Sequence, residues 1–175
     1  AGSYRLSLAT PLIMGIVNTT PDSFSDGGRW LDASAAIRHA FKLRDEGADI
    51  LDVGGESTRP GAAGVSVDEE IRRVLPVIEA LAAEGCVVSV DTAKPEVMRA
   101  ALAAGASMVN DVMALQVPGA LEGVARSGAA ICLMHMQGEP RTMQQAPSYA
   151  SVVDEVKHFL QGRVAACEAT GISRE

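Results

Sequence analysis

The sequence predicts an α/β fold of the (β/α)8 TIM-barrel type, truncated after about five βα units. Three observations carry this. Short apolar runs alternate with helix-period segments along the whole chain. Each run is apolar on consecutive residues, as parallel strands buried on both faces are. Run after run then ends in a step from apolar to polar, which would collect the polar groups at one rim.

The elements follow in order. Leu12–Val17 is the first strand, and Ala33, Ala36, Ile37, Ala40 and Phe41 make the first helical stripe, closed by Gly47. Ile50–Val53 is the second strand. Ser66-Val67-Asp68-Glu69 reads as a capping box that opens the stripe Ile71, Val74, Leu75, Ile78 and Leu81, with Gly85 after it. Pro76 is a misfit there, because an interior proline should kink the helix or cost it a hydrogen bond. Val87–Val90 is the third strand. Pro95 stands where a first-turn proline is tolerated, before Val97, Ala100, Ala101 and Ala104, and Gly105 ends that helix. Ser107–Asn110 precedes a helix carrying Leu121, Val124 and Ala125, stopped by Gly128. Ala130–Met134 is the fifth strand. The last stripe runs from about Tyr149 through Val152, Val153, Val156, Phe159 and Leu160 to Val164, before Gly171.

Right-handed crossovers turn this order into a parallel sheet with outer helices. It can close as an open doubly wound sheet or as a barrel. The strand-end steps favour the barrel: Val17-Asn18, Gly55-Glu56-Ser57-Thr58, Val90-Asp91, Val109-Asn110-Asp111 and Met134-His135. A nucleotide-binding doubly wound fold would want a Gly-x-Gly-x-x-Gly turn after its first strand, and none follows this one. Barrels rarely have fewer than about 200 residues, and this chain has 175. The expectation is one domain over 1–175, the N-terminal five-eighths of a barrel, incomplete at its C-terminus. Standing alone, it would offer unpaired edges on its outer strands and be marginal or self-associating.

Composition narrows the function classes. Hydrophobic residues make up 47% and charged residues 21%, too apolar for a disordered chain. The net charge of -7 argues against nucleic acid or an anionic membrane as partner, while leaving room for a local basic pocket. No membrane-length apolar run and no signal segment occur, so a cytoplasmic location is expected. The scattered Cys86, Cys132 and Cys167 fit reduced thiols, and no zinc-type spacing exists.

The loop Asn18–Gly28 is long for a βα connection and dense in hydroxyls, glycine and carboxylates. It reads as a lid over a polar substrate or as a series of solvated turns. In the next loop, Gly54-Gly55 can let backbone approach a ligand closely, and Arg59 can hold an anion or pair with Asp26 or Glu56. Asp91, with Asn110 and Asp111, can read the donor–acceptor edge of a flat heterocycle; alternatively Asp91 serves the helix start near Pro95 and Asn110 caps its loop. Met134 and Met136 can flank an aromatic ring or fill core. His135 is a candidate base, though a lone strand-end histidine is more often structural, and His39 and His158 read as surface residues.

Two long strings go further. Met14-Gly15-Ile16-Val17-Asn18-Thr19-Thr20-Pro21-Asp22-Ser23-Phe24-Ser25-Asp26-Gly27-Gly28 closely resembles the first signature of the dihydropteroate synthase family. Asp52-Val53-Gly54-Gly55-Glu56-Ser57-Thr58-Arg59-Pro60-Gly61 resembles its second. Val90-Asp91-Thr92, Asn110-Asp111-Val112 and Leu133-Met134-His135-Met136-Gln137-Gly138 are similar to later segments, in family order. The resemblance implies a (β/α)8 pterin-binding barrel of folate biosynthesis. Such enzymes join 6-hydroxymethyl-7,8-dihydropterin pyrophosphate to p-aminobenzoate, release pyrophosphate, use Mg2+ and are inhibited by sulfonamides.

By motif match, Asn18 would hold Mg2+ and the pyrophosphate. Asp91 and Asn110 would hydrogen-bond the pterin, and Val112 and Met134 would pack on its ring. Thr58 and Pro60 would border the p-aminobenzoate site with Phe24 nearby, and Asp26 and Arg59 would order the two loops. No covalent nucleophile is implied. The family's Asp-Pro-Gly, lysine and Arg-x-His segments on strands six to eight do not occur in this chain, so activity and a homodimer are expected of a longer protein. Two other readings stand beside this one. One is a pterin-binding barrel that moves a methyl group from a folate to a corrinoid protein. The other is a non-catalytic binding fragment.

Overall fold

The computed structural model describes residues 4–19, 29–56 and 64–174, with the backbone alone for 29–32. Ten elements follow one another: β1 (Met14–Asn18), α1 (Arg29–Asp45), β2 (Ile50–Gly54), α2 (Val67–Ala83), β3 (Val88–Asp91), α3 (Pro95–Ala103), β4 (Met108–Asp111), α4 (Ala120–Val124), β5 (Ala130–Leu133) and α5 (Val152–Ala169). The five strands pair in parallel in the order of the chain. An order without reversal means that every crossover steps the same way, which is the winding of a barrel wall. A doubly wound sheet reverses at a switch point. The helices accordingly line one face, α1 packing on α2, α2 on α3 and α3 on α4.

Burial separates the two faces of the sheet. Val17, Val53, Val88, Val90 and Val109 point toward the helices and are fully buried. From α2 they meet Val74, Val77, Ile78 and Leu81, also fully buried. Each such side chain contributes roughly 1.5–3 kcal/mol by leaving water. Period-two alternation puts Asn18, Asp52, Gly54, Ser89, Asp91, Met108, Asn110 and Cys132 on the opposite face. Expected burial on both faces therefore holds for β2 and fails at the sheet's edges. Ile16 in β1 is 51% exposed and Ala130 in β5 is exposed, because helices cover only one side.

The helix punctuation is partly as expected. Gly47, Gly85, Gly105, Gly128 and Gly171 all take positive φ after their helices. Ser66 Oγ accepts from the Glu69 N–H at 3.2 Å, but the capping box is only half formed. The Glu69 carboxylate turns instead to Arg72 and Arg73 on the next turn. Pro76 does not break α2, which runs continuously from Val67 to Ala83. It sits on the exposed side, where the carbonyl four residues back can turn to water. Among the described residues, no helix is long and apolar enough to cross a membrane.

Candidate active site

Register brings the strand ends together. Asn18 is the Cα partner of Gly54, Gly54 of Asp91, Asp91 of Asn110, and Asn110 of Cys132. These five residues form one row across the carboxyl ends of the sheet, on the face away from the helices. Asp52 and Ser89 lie one pleat below, on the same face. Asn110 Nδ2 donates to Asp52 Oδ2 at 3.0 Å.

The row is polar and under-satisfied. Asp52 Oδ1, Ser89 Oγ and Asp91 Oδ1 are buried without a hydrogen-bond partner among the described residues. Leaving such a group unpaired costs about 1–3 kcal/mol, and a molecule bringing N–H or O–H donors to this face could satisfy these oxygens. Asp91 registers the strain. Burial, reinforced by the charges of Asp52, Glu70 and Asp111, pushes its carboxyl up to about 7. The Cys132 thiol is also raised, by burial and then by Asp52 and Asp91.

The two glycines at the end of β2 do different work. A Cβ on Gly54 would lie 3.6 Å from Asp91 Cβ and 3.9 Å from Asn18 Oδ1, so its missing side chain opens space between those two residues. A Cβ on Gly55 would sit 2.8 Å from Glu70 Cγ and from Val74 Cγ1. Gly55 therefore makes room for α2 rather than for a ligand, correcting half of the sequence reading.

Asn110 and Asp111 also divide their roles. Asn110 faces the row. Asp111 points the other way and accepts from the backbone N–H of Met113 and Leu115, both at 2.8 Å. It braces a turn in which Ala114 and Leu115 take positive φ. Arg163 of α5 donates to both of their carbonyls, at 2.7 and 2.8 Å. The loop-capping role weighed for Asn110 belongs to its neighbour. Burial raises the Asp111 carboxyl, although its backbone hydrogen bonds and Arg163 pull it down.

Val112 and Met134 follow the ends of β4 and β5, half-buried. His135 is a packing residue, its ring 5.0 Å from that of Phe159 and 5.8 Å from that of Tyr149. His158 is exposed as expected, whereas His39 is half-buried. Phe24, Asp26, Thr58, Arg59 and Pro60 lie outside the described residues.

Sequence reasoning gave no role to Asp52, Ser89, Glu70 or Lys94. Lys94, at the N-cap of α3, pairs with both Glu56 and Glu70. Burial alone would lower its pKa, but the two carboxylates hold it above the ordinary lysine value. Glu56 Oε2 accepts in addition from the Val65 N–H at 3.4 Å, tying both ends of the β2–α2 connection to α3.

A family model described as "Pterin binding enzyme" matches residues 14–175. The chain is 53% identical to the dihydropteroate synthase of Escherichia coli (strain K12) over 176 aligned residues, 100% of this chain and 62% of that protein. It resembles the Yersinia pestis dihydropteroate synthase solved in a sulfonamide drug complex, with a TM-score of 0.91 and 48% identity, covering 99% of this chain and 63% of that one. It also resembles the Xanthomonas albilineans dihydropteroate synthase solved with 4-aminobenzoic acid, with a TM-score of 0.87 and 57% identity, covering 96% and 60%. The chain thus spans about three-fifths of the length of the relatives it matches. Parallel βα units wound one way, a polar row at their carboxyl ends and a family match over almost every residue agree: the chain belongs to the pterin-binding enzymes.

Proposed function

We propose that the chain supplies the pterin-binding wall of a dihydropteroate synthase. The reaction condenses 6-hydroxymethyl-7,8-dihydropterin pyrophosphate with p-aminobenzoate to give 7,8-dihydropteroate and pyrophosphate. One observation carries the reading: Asp91 and Asn110 stand side by side at the strand ends, with an unpartnered carboxylate oxygen on Asp91. A pterin presents a flat edge of N–H donors and ring-nitrogen acceptors, which this pair can satisfy. The identity of about half with dihydropteroate synthases supports the same reading, as do their complexes with 4-aminobenzoic acid and a sulfonamide drug.

In this proposal Asp91 and Asn110 hold the pterin, while Val112 and Met134 flank its ring. Thr58 and Pro60, with Phe24, border the arylamine, and Asp26 and Arg59 order the loops around it. The bond from the pterin methylene to oxygen breaks, and its electron pair leaves with pyrophosphate. The electron-rich ring and the nearby Asp91 carboxylate stabilise the methylene cation. The arylamine nitrogen then forms the new C–N bond and releases a proton. Excluding water protects the cation from capture.

Asn18 is the proposed Mg2+ contact. Asn18 is exposed, and its amide oxygen, beside the gap left by Gly54, suits an ion that takes most of its ligands from phosphate oxygens and water. When bound, Mg2+ would neutralise charge on the departing pyrophosphate. Lys94, already held by two carboxylates, is poorly placed to do so. The longer protein is proposed to act as a cytoplasmic homodimer, without nucleic-acid or membrane partners. The unpaired cysteines and the net charge of -7 fit that setting.

The natural-length protein tests this directly. Pyrophosphate release should require both p-aminobenzoate and Mg2+. Release that runs equally fast without the arylamine would rule out the condensation.

A further inference from the structure

We propose that Asp52 is a positioning residue that fixes the orientation of the Asn110 carboxamide, so that Asn110 offers a ligand one Nδ2–H beside its Oδ1. This rests on the pterin reading and deepens it by naming what selects the ring's amino edge.

An asparagine side chain can be flipped about its last bond, exchanging donor for acceptor with little change in shape. Flipped one way, Asn110 would accept where it should donate. Asp52 removes the ambiguity. It is 2% exposed, in the middle of β2, and its Oδ2 accepts from Asn110 Nδ2 at 3.0 Å. An ionised carboxylate has only acceptors. Turning the amide would set Asn110 Oδ1 against Asp52 Oδ2, two oxygens with no proton between them.

The contact crosses a whole strand. Asp52 lies in β2 and Asn110 in β4, about 10 Å apart at the usual strand spacing. Between them stands Ser89 of β3, the register partner of Asp52, and its small side chain leaves the path open. One Nδ2–H of Asn110 is thus committed to Asp52. The other, with Oδ1, forms a donor–acceptor pair that matches a ring nitrogen next to an exocyclic amino group. Such bidentate amide pairing discriminates well between ring edges. Asp91, in register with Asn110, adds an unpartnered acceptor alongside. The row therefore favours a 2-amino-substituted pyrimidine ring over the same ring without its amino group.

Two measurements on the natural-length protein test this, one of them without ligand. In wild-type protein, one Nδ2 proton of Asn110, assigned by its loss in Asn110→Asp, should exchange with solvent at least about tenfold more slowly than an exposed asparagine amide, as a buried hydrogen bond requires. Exchange at the exposed rate would overturn the proposal. The second measurement compares the affinities of 6-hydroxymethylpterin and its 2-deamino analogue. Wild type should prefer the 2-amino ring by roughly tenfold, the value of one hydrogen bond. In Asp52→Asn, whose amide accepts either orientation of Asn110, the preference should shrink to about twofold, with affinity for the deamino ring little changed. Asp52→Ser replaces this variant if it fails to fold. A preference that survives the substitution would overturn the proposal, and a uniform loss for both rings would reduce Asp52 to a structural role. If wild type binds neither ring, the pterin reading falls, while the exchange measurement still judges the Asp52–Asn110 bond.

Discussion

Lys94 and Glu70 join α3 to α2 through an ion pair in which the carboxylate is 1% exposed and the ammonium side chain 27% exposed. Glu56 meets the same ammonium from the β2–α2 connection. Breaking a fully buried pair costs about 3–5 kcal/mol, because the abandoned charge stays buried. Lys94 is partly solvated, so Lys94→Ala should cost less, about 2 kcal/mol. Adding Glu70→Gln should restore part of the loss by removing the stranded charge. Urea midpoints of the two variants check this, and a single variant as stable as wild type would remove the pair from the fold's energetics.

Much of this architecture was readable from residue order, and the exceptions have physical causes. The strand runs were legible because the strand residues that face the helices are apolar up to the rim. Their ends shift by a residue or two: Leu12 and Ile13 precede β1, while Asn18, Gly54, Asp91 and Asp111 extend their strands into the polar rim. Asp91 and Asn110 stood out as polar residues closing apolar runs. Asp52 did not, since it interrupts the run Ile50-Leu51-Asp52-Val53 and no neighbouring residue reveals that it faces away from the helices. Strand parity relative to Asn110 is the signal that would find it. Glu70 was hidden in the acidic first turn of α2, where helix-dipole chemistry explains any carboxylate. Its phase with Val74, Val77 and Leu81 marks it as inward-facing. Lys94 could not be assigned because both of its partners are distant in sequence.

The titration of Asp91 makes stability depend on pH in a definite direction. Its carboxyl is pushed up to about 7 in the fold, from an ordinary value of 3.8. Between those values the folded chain holds a proton that the unfolded chain has lost. The contribution is therefore present in full below pH 3.8 and is lost as the pH rises through about 7. Urea midpoints should fall from pH 5 to pH 8 in wild type, and Asp91→Asn should flatten that decline. An identical slope in the variant would contradict the burial of Asp91.

Gly54 and Gly55 should separate binding from stability. Gly55→Ala drives a methyl group to within 2.8 Å of Glu70 Cγ and Val74 Cγ1. Overpacking of that kind costs about 1–3 kcal/mol. Gly54→Ala meets Asp91 only at 3.6 Å, an ordinary contact, and should alter stability by less than about 1 kcal/mol. Its methyl group would still occupy the gap between Asn18 and Asp91, so ligand affinity should drop. Denaturation and ligand titration of both variants would show the opposite pattern if the two glycines were wrongly assigned.

Titration of 6-hydroxymethylpterin into wild-type and Asp91→Asn protein of natural length bears most directly on the central claim, that the strand-end row of Asp91 and Asn110 holds a pterin ring. Above the value of about 7 to which burial pushes the Asp91 carboxyl, for example at pH 8, the substitution exchanges an ionised acceptor for a neutral amide in nearly the same volume. It should weaken binding by about 1–3 kcal/mol, the worth of a charge-assisted hydrogen bond. Equal affinities in the two proteins would contradict the account.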